Sequence, residues 1–189
     1  MAKQTLVDGD AFIYMKVGVH AKETLEDILI RKHREIEQAG MAFWGYGGST
    51  CHPLTAVQPF AKEVTERGAT IRLLMQEIDS HHFADQIRAA SYSEDGMEWK
   101  DVPKPISVLG SRYALVLGDL EEIDLNVELA KTKVGVGRLA GAPGSEYVRG
   151  RVDKACLIYA PTGAIAGVAD PVSLRLSARL VPPYAVIMK

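Results

Sequence analysis

The strongest constraint on the fold is a change of rhythm near residue 91. Before it, short apolar runs alternate with stretches of helical period; after it, short runs follow one another, separated by glycine, proline or charge. Strand–helix alternation is the signature of a βαβ-type layer, whereas closely spaced runs with turn residues between them read as antiparallel strands. The expected fold class is therefore α+β. An N-terminal βαβαβ-like layer (1–92) precedes a mainly antiparallel β-rich half (93–189), within one compact domain spanning 1–189.

In the first half, residues 11–19 are short, apolar and rich in aromatic and β-branched side chains, as in a buried strand. Thr24 with Asp27 three residues on has the form of a capping box. Leu25, Ile28, Leu29 and Ile36 then trace a stripe of period near 3.6, interrupted by Lys32, and Gly40 is placed to end the helix. Residues 41–46 read as a second strand. A second helix is expected between residues 54 and 67, stopped by Gly68, with Pro59 either opening or kinking it. Residues 70–78 read as a third strand and 83–90 as a short helix.

In the second half, strands are expected at 106–109, 113–117, 123–129, 134–139, 147–152 and 155–159. Residues 172–180 alternate apolar and polar side chains, the pattern of a half-buried strand, and Pro182-Pro183 separates it from a last apolar piece at 184–188.

Bulk composition narrows the function classes. The formal net charge is −2 and the sequence pI about 6.2, so no global basic field draws the chain to nucleic acid or anionic lipid. Two cysteines, Cys51 and Cys156, are too few for a disulfide framework and read as reduced thiols, which makes the cytoplasm the expected location. The opening residues lack the apolar core of a signal peptide, and no apolar run is long enough to span a bilayer, so no membrane association is expected.

The best candidate site is the stretch from Ala42 to Pro53. An aromatic strand carrying Phe43, Trp44 and Tyr46 runs into Gly47, Gly48, Ser49 and Thr50, then Cys51 and His52. Glycines let backbone amides approach a ligand, a following helix adds partial positive charge, and hydroxyls add donors; phosphate or carboxylate is the natural guest. The stretch is not a P-loop, because the lysine that should follow the second glycine is absent, and it lacks the spacing of a dinucleotide fingerprint. Trp44 and Tyr46 share one strand face, with Phe43 on the other, and could stack a base or form core.

Cys51 sits where a helix N-terminus would favour its thiolate, with His52, His81 or His82 as candidate bases. The run Glu77, Asp79, His81, His82 has no zinc-ligand spacing, and no metal site is expected. A glycine-rich stretch at 135–144, followed by Arg149 and Arg151 and containing Arg138, reads as a hairpin connection whose arginines could hold phosphate. Arg31, Lys32, His33 and Arg34 go around most of a helical turn and read as a solvated face.

The layout resembles small nucleic-acid-reading barrels at the level of fold alone, which does not establish function. The reading on which most residue types agree is a binding module for a phosphate-bearing ligand, a nucleotide or an exposed nucleic-acid base. It would use Trp44 and Tyr46 for stacking, residues 47–50 for phosphate, and Arg138, Arg149 and Arg151 around the polyanion; no cofactor is identified. Two alternatives stay open. One is an enzyme with Cys51 as nucleophile; the other is an interaction or inhibitor protein, or homo-oligomer subunit, that takes no small ligand.

Overall fold

The computed structural model describes residues 5–20, 22–82, 85–148, 152–163 and 171–189. Residues 11–20 form strand β1 (Ala11–His20), and its alternation buries both faces: Phe12 and Tyr14 enter one apolar cluster, Ile13 and Met15 another. Helix α1 (Leu25–Ala39) starts at the expected capping box. The Thr24 side chain accepts from the Asp27 amide at 3.1 Å, and Gly40 closes the helix in the left-handed conformation. Strand β2 (Ala42–Tyr46) follows, then a π-helical turn at Pro53–Val57 that runs directly into α2 (Gln58–Glu66). Pro59 thus lies in the first turn of α2, directly after the π-helical turn.

Strand β3 (Arg72–His82) is longer than the sequence suggests. The short helix expected at 83–90 is not formed by its described part. Residues 85–90 run without helical turns, and Arg88 bridges to Leu109. The segment 106–109 is likewise no strand beyond that bridge. The arginine side chain explains the extended path, since its guanidinium donates to the carbonyls of Lys104 (3.1 Å) and Ile106 (2.7 Å).

Strands β4 (Ser91–Ser93), β5 (Lys100–Asp101), β6 (Tyr113–Leu117) and β7 (Glu121–Glu128) follow. Next come β8 (Thr132–Val134), the short helix α3 (Gly144–Tyr147), β9 (Lys154–Tyr159) and β10 (Pro171–Met188). The 134–139 run leaves the ladder after Val134, and residues expected as strand from 147 open instead with the end of α3. Strands β8 and β9 pair antiparallel, and in the connection expected at 135–144 the chain folds back on Val134, whose amide donates to the Ala142 carbonyl and whose carbonyl accepts from the Gly141 amide, both at 2.8 Å. The apolar pieces on either side of Pro182-Pro183 are one strand: between Leu180 and Ala185 the chain bulges out of its ladder with β6, and pairing then resumes.

The architecture is α+β, with ten strands among the described residues. One part of the sheet runs β8–β9–β1–β3, with β1 and β3 parallel; the other holds β2–β6 and β4–β5. Strand β10 joins them, its first half pairing with β3 and β7 and its second with β6 and β4. The main core lies between these parts, where Phe60 and Val57 meet Ile13, Trp44, Leu73 and Leu115. The expected first-half layer is therefore split: β1 and β3 are neighbours, but β2 pairs with β6 in the other part. No helix among the described residues is long and apolar enough to cross a membrane.

Candidate functional site

Because β1 and β3 are parallel, their C-terminal ends emerge at one edge of the sheet, where open sheets tend to leave room for ligands. The end of β2 and the loop after it close over that edge from the other part of the fold. Between them lies a cavity of about 540 Å³, within the size range of small-molecule sites. It is walled by β1 from Met15 to Val19, by Arg31 and Lys32 of α1, by Trp44 to Thr50, by residues 107–111 and by residues 152–154.

Local backbone geometry shapes this wall. Gly45 is required by close approach: a Cβ there would lie 2.5 Å from Ser111 Oγ and 2.7 Å from Val108 Cγ1. Gly48 has φ +87, which side chains rarely adopt, and Cys51 follows at φ +56. Two left-handed residues three apart turn the chain sharply, and the turn is pinned from below. The buried Tyr46 hydroxyl donates to the Cys51 carbonyl at 2.6 Å. Burial foremost, with the neighbouring thiols, pushes the Tyr46 phenol far above its ordinary pKa, so it stays a donor.

The lysine that a phosphate loop needs is absent from the loop's own sequence, but the fold brings one from far along the chain. Lys154, on β9, is only 4% exposed. Its ammonium lies 5.9 Å from the Tyr46 ring centroid and 3.3 Å from where a Cβ on Gly48 would stand. Its partner is the Asp153 carboxylate at 2.5 Å, itself about half exposed. Lys16 of β1 lines the same cavity, with the Val152 carbonyl at 3.5 Å. A chain of net charge −2 thus places two lysines on the cavity wall, one of them against its glycine loop.

The helix side is an ion-paired strut. Lys32, 2% exposed, donates to both Glu35 carboxylate oxygens (2.9 and 2.8 Å) and to the Ser107 carbonyl (2.9 Å), which uses all three of its donors. Glu35 in turn accepts from the Ser107 amide at 3.0 Å, and Arg31 donates to the same Ser107 carbonyl at 2.5 Å and to Glu23 at 2.6 Å. The expected solvated face is therefore wrong for Arg31 and Lys32. Lys32 does not interrupt the buried stripe; it belongs to it with Ile28 and Glu35.

The residues singled out by the sequence divide accordingly. Trp44, Tyr46, Gly47, Gly48, Ser49 and Thr50 all line the cavity. Trp44 and Tyr46 are also core, 6% and 5% exposed, in the cluster opposite to that of Phe43. His52 is engaged elsewhere: its Nδ1 accepts from the Leu54 amide at 3.2 Å and its ring meets Tyr113 edge-on at 5.1 Å. That bond caps the π-helical turn, so the helix end itself offers less positive charge than the sequence implies.

Cys51 is buried with its Sγ 4.0 Å from Cys156 Sγ. His81 and His82 end β3 beside β1, not beside β2, and their side chains fall outside the described residues. Arg138 is exposed on the β8–β9 connection and does not line the cavity; Arg149 and Arg151 lie outside the described residues. No group of three or more His, Cys, Asp or Glu side chains that could hold a metal occurs among the described residues. Comparison with protein-family models, curated proteins and solved structures found no match.

Proposed function

We propose that this protein is a binding module for a phosphate-bearing ligand, a nucleotide or an exposed nucleic-acid base, seated in the cavity between β1, α1 and the 47–50 loop. The observation that carries the reading is the Lys154 ammonium. It is nearly removed from water, yet it stands beside Gly48 at a loop whose amides and hydroxyls suit an anion. Its present partner, the Asp153 carboxylate, is about half exposed, and a phosphate oxygen on the loop side would add a second partner to the nearly buried ammonium. Lys16 supplies a second cation in the same cavity, and Trp44 lines it with an aromatic surface. A flat ring with an anionic group fits both features.

The test is a thermal-shift screen followed by calorimetry with mononucleotides, short oligonucleotides and inorganic phosphate. A ligand bound only by the native state raises the melting temperature by mass action. Lys154→Met keeps the stem but removes the charge. It is expected to weaken nucleotide binding by about 10- to 100-fold, the equivalent of ~1.5–3 kcal/mol for a charged hydrogen bond. Equal affinity in the variant, or no shift with any phosphate-bearing compound, sinks the reading.

A further inference from the structure

The two cysteines are 105 residues apart in sequence and meet in the main core, sulfur to sulfur at 4.0 Å. Neither thiol lines the cavity. Strand β9 explains the meeting. Lys154 and Cys156 are two apart and so lie on one face of the strand, the first against Gly48 and the second against Cys51. The glycine loop thus touches β9 at two points, and the second is a dithiol.

We infer that Cys51 and Cys156 form a reversible redox site, closed to a disulfide by small disulfide oxidants, and that closure moves the 47–51 loop relative to Lys154. The chemistry balances without any group held by the protein. Cys51 sulfur, as thiolate, attacks one sulfur of the small disulfide; a mixed disulfide forms and one small thiolate leaves, taking up a proton. Cys156 sulfur then attacks the Cys51 sulfur of the mixed disulfide, the internal S–S bond forms, and the second small thiol departs with the remaining proton. The protein loses two electrons and two protons, and the oxidant becomes two thiols.

Both thiols are buried, but Cys51 lies in a loop and Cys156 inside a strand, so local opening of the loop presents Cys51 to the oxidant first. Cys156 is the resolving thiol by its contact with Cys51; hydrogen bonding to Cys51, and then burial, raise its pKa, which makes its attack the slower of the two steps.

Which side moves follows from the backbone. A sulfur–sulfur bond of ~2 Å requires the pair to approach by roughly 2 Å. The backbone of Cys156 lies inside β9, paired with Ile13 of β1, and is held by that ladder. Cys51 sits in the loop at a left-handed φ of +56, outside any strand or helix. The backbone displacement that closure requires beyond side-chain rotation therefore falls on residue 51 and on the glycine loop preceding it. The inference stands on the thiol pair and needs no ligand in the cavity.

Incubating the folded full-length chain with oxidised glutathione, alkylating free thiols and mapping peptides without reductant should yield a Cys51–Cys156 cross-linked peptide. Dithiothreitol should release it. Hydrogen exchange of residues 47–51 should change on oxidation and return on reduction. Cys156→Ser should instead accumulate glutathione on Cys51. Thiols that both stay free in the folded protein, or a Cys51 adduct that persists in the wild type without cross-linking, would overturn the site. A cross-link that leaves exchange at 47–51 unaltered would overturn the loop movement.

Discussion

Glu35→Ala should lower the folding stability by about 3–5 kcal/mol, the usual cost of stranding a buried charge, which would show as a large fall in the urea midpoint. The substitution strips Lys32 of both carboxylate contacts while its ammonium remains 2% exposed, and it leaves the Ser107 amide without its acceptor. The informative companion is the double variant Lys32→Met/Glu35→Leu. It removes the pair together and should recover much of the loss, because an apolar pair of similar volume avoids the desolvation of two ions. A single variant that is as stable as wild type would mean that the strut carries no weight.

The same pair sets a pH dependence. Burial is the larger influence on Lys32 and lowers its pKa to about 8 from 10.5, against the pull of Glu35. Between those values the unfolded chain binds the proton more readily than the folded one. Stability from this group therefore rises with pH across the window from about 8 to 10.5, and the increment is absent below the folded pKa. Urea titrations of wild type and the double variant Lys32→Met/Glu35→Leu should diverge in their pH slope over that range.

Gly48→Asp should abolish binding of nucleotides in the cavity while Gly47→Ala leaves it nearly intact. A side chain on Gly48 begins 3.3 Å from the Lys154 ammonium, so the new carboxylate would take the place proposed for the ligand's phosphate. Like charges brought together in a partly desolvated site cost several kcal/mol, or about a hundredfold or more in affinity. A Cβ on Gly47, by contrast, meets nothing within 4 Å, and its φ is not in the left-handed region. Calorimetry on the two variants beside wild type checks the contrast, with circular dichroism to confirm that Gly48→Asp folds. Equal losses in both variants would point to general damage of the loop.

How much of this was legible in the sequence depended on whether the deciding contact was local. The Thr24–Asp27 cap and the Gly40 stop are set by neighbours within a few residues and appear where the pattern puts them, whereas the alternation on β10 breaks at Ser177, which is buried and accepts from Arg72 at 2.6 Å. The stretch from Trp44 to Thr50 is likewise marked by its own glycines and hydroxyls, and it lines the cavity. What the pattern could not reveal were partners brought by topology. Lys154 lies 106 residues beyond Gly48, and no local motif marks it. Lys32 looked like an interruption because its compensating acceptors are Glu35 and a carbonyl at Ser107; only a lysine at a core position with a glutamate three residues on hinted at the pair. The extended path at 85–90 is held by Arg88 reaching across to residues 104 and 106, again a contact with no local signal.

Strand β10 has a kinetic meaning as well as an architectural one. Met75 pairs with Leu176, and Leu115 with Ala185, so both parts of the sheet wait for the same late segment before they can be joined. Closing such long loops is entropically costly before any contact repays it, which makes folding slow relative to a helical protein of this size. On a translating ribosome the N-terminal strands would emerge with exposed edges, and the cavity between them would be the last thing to take shape.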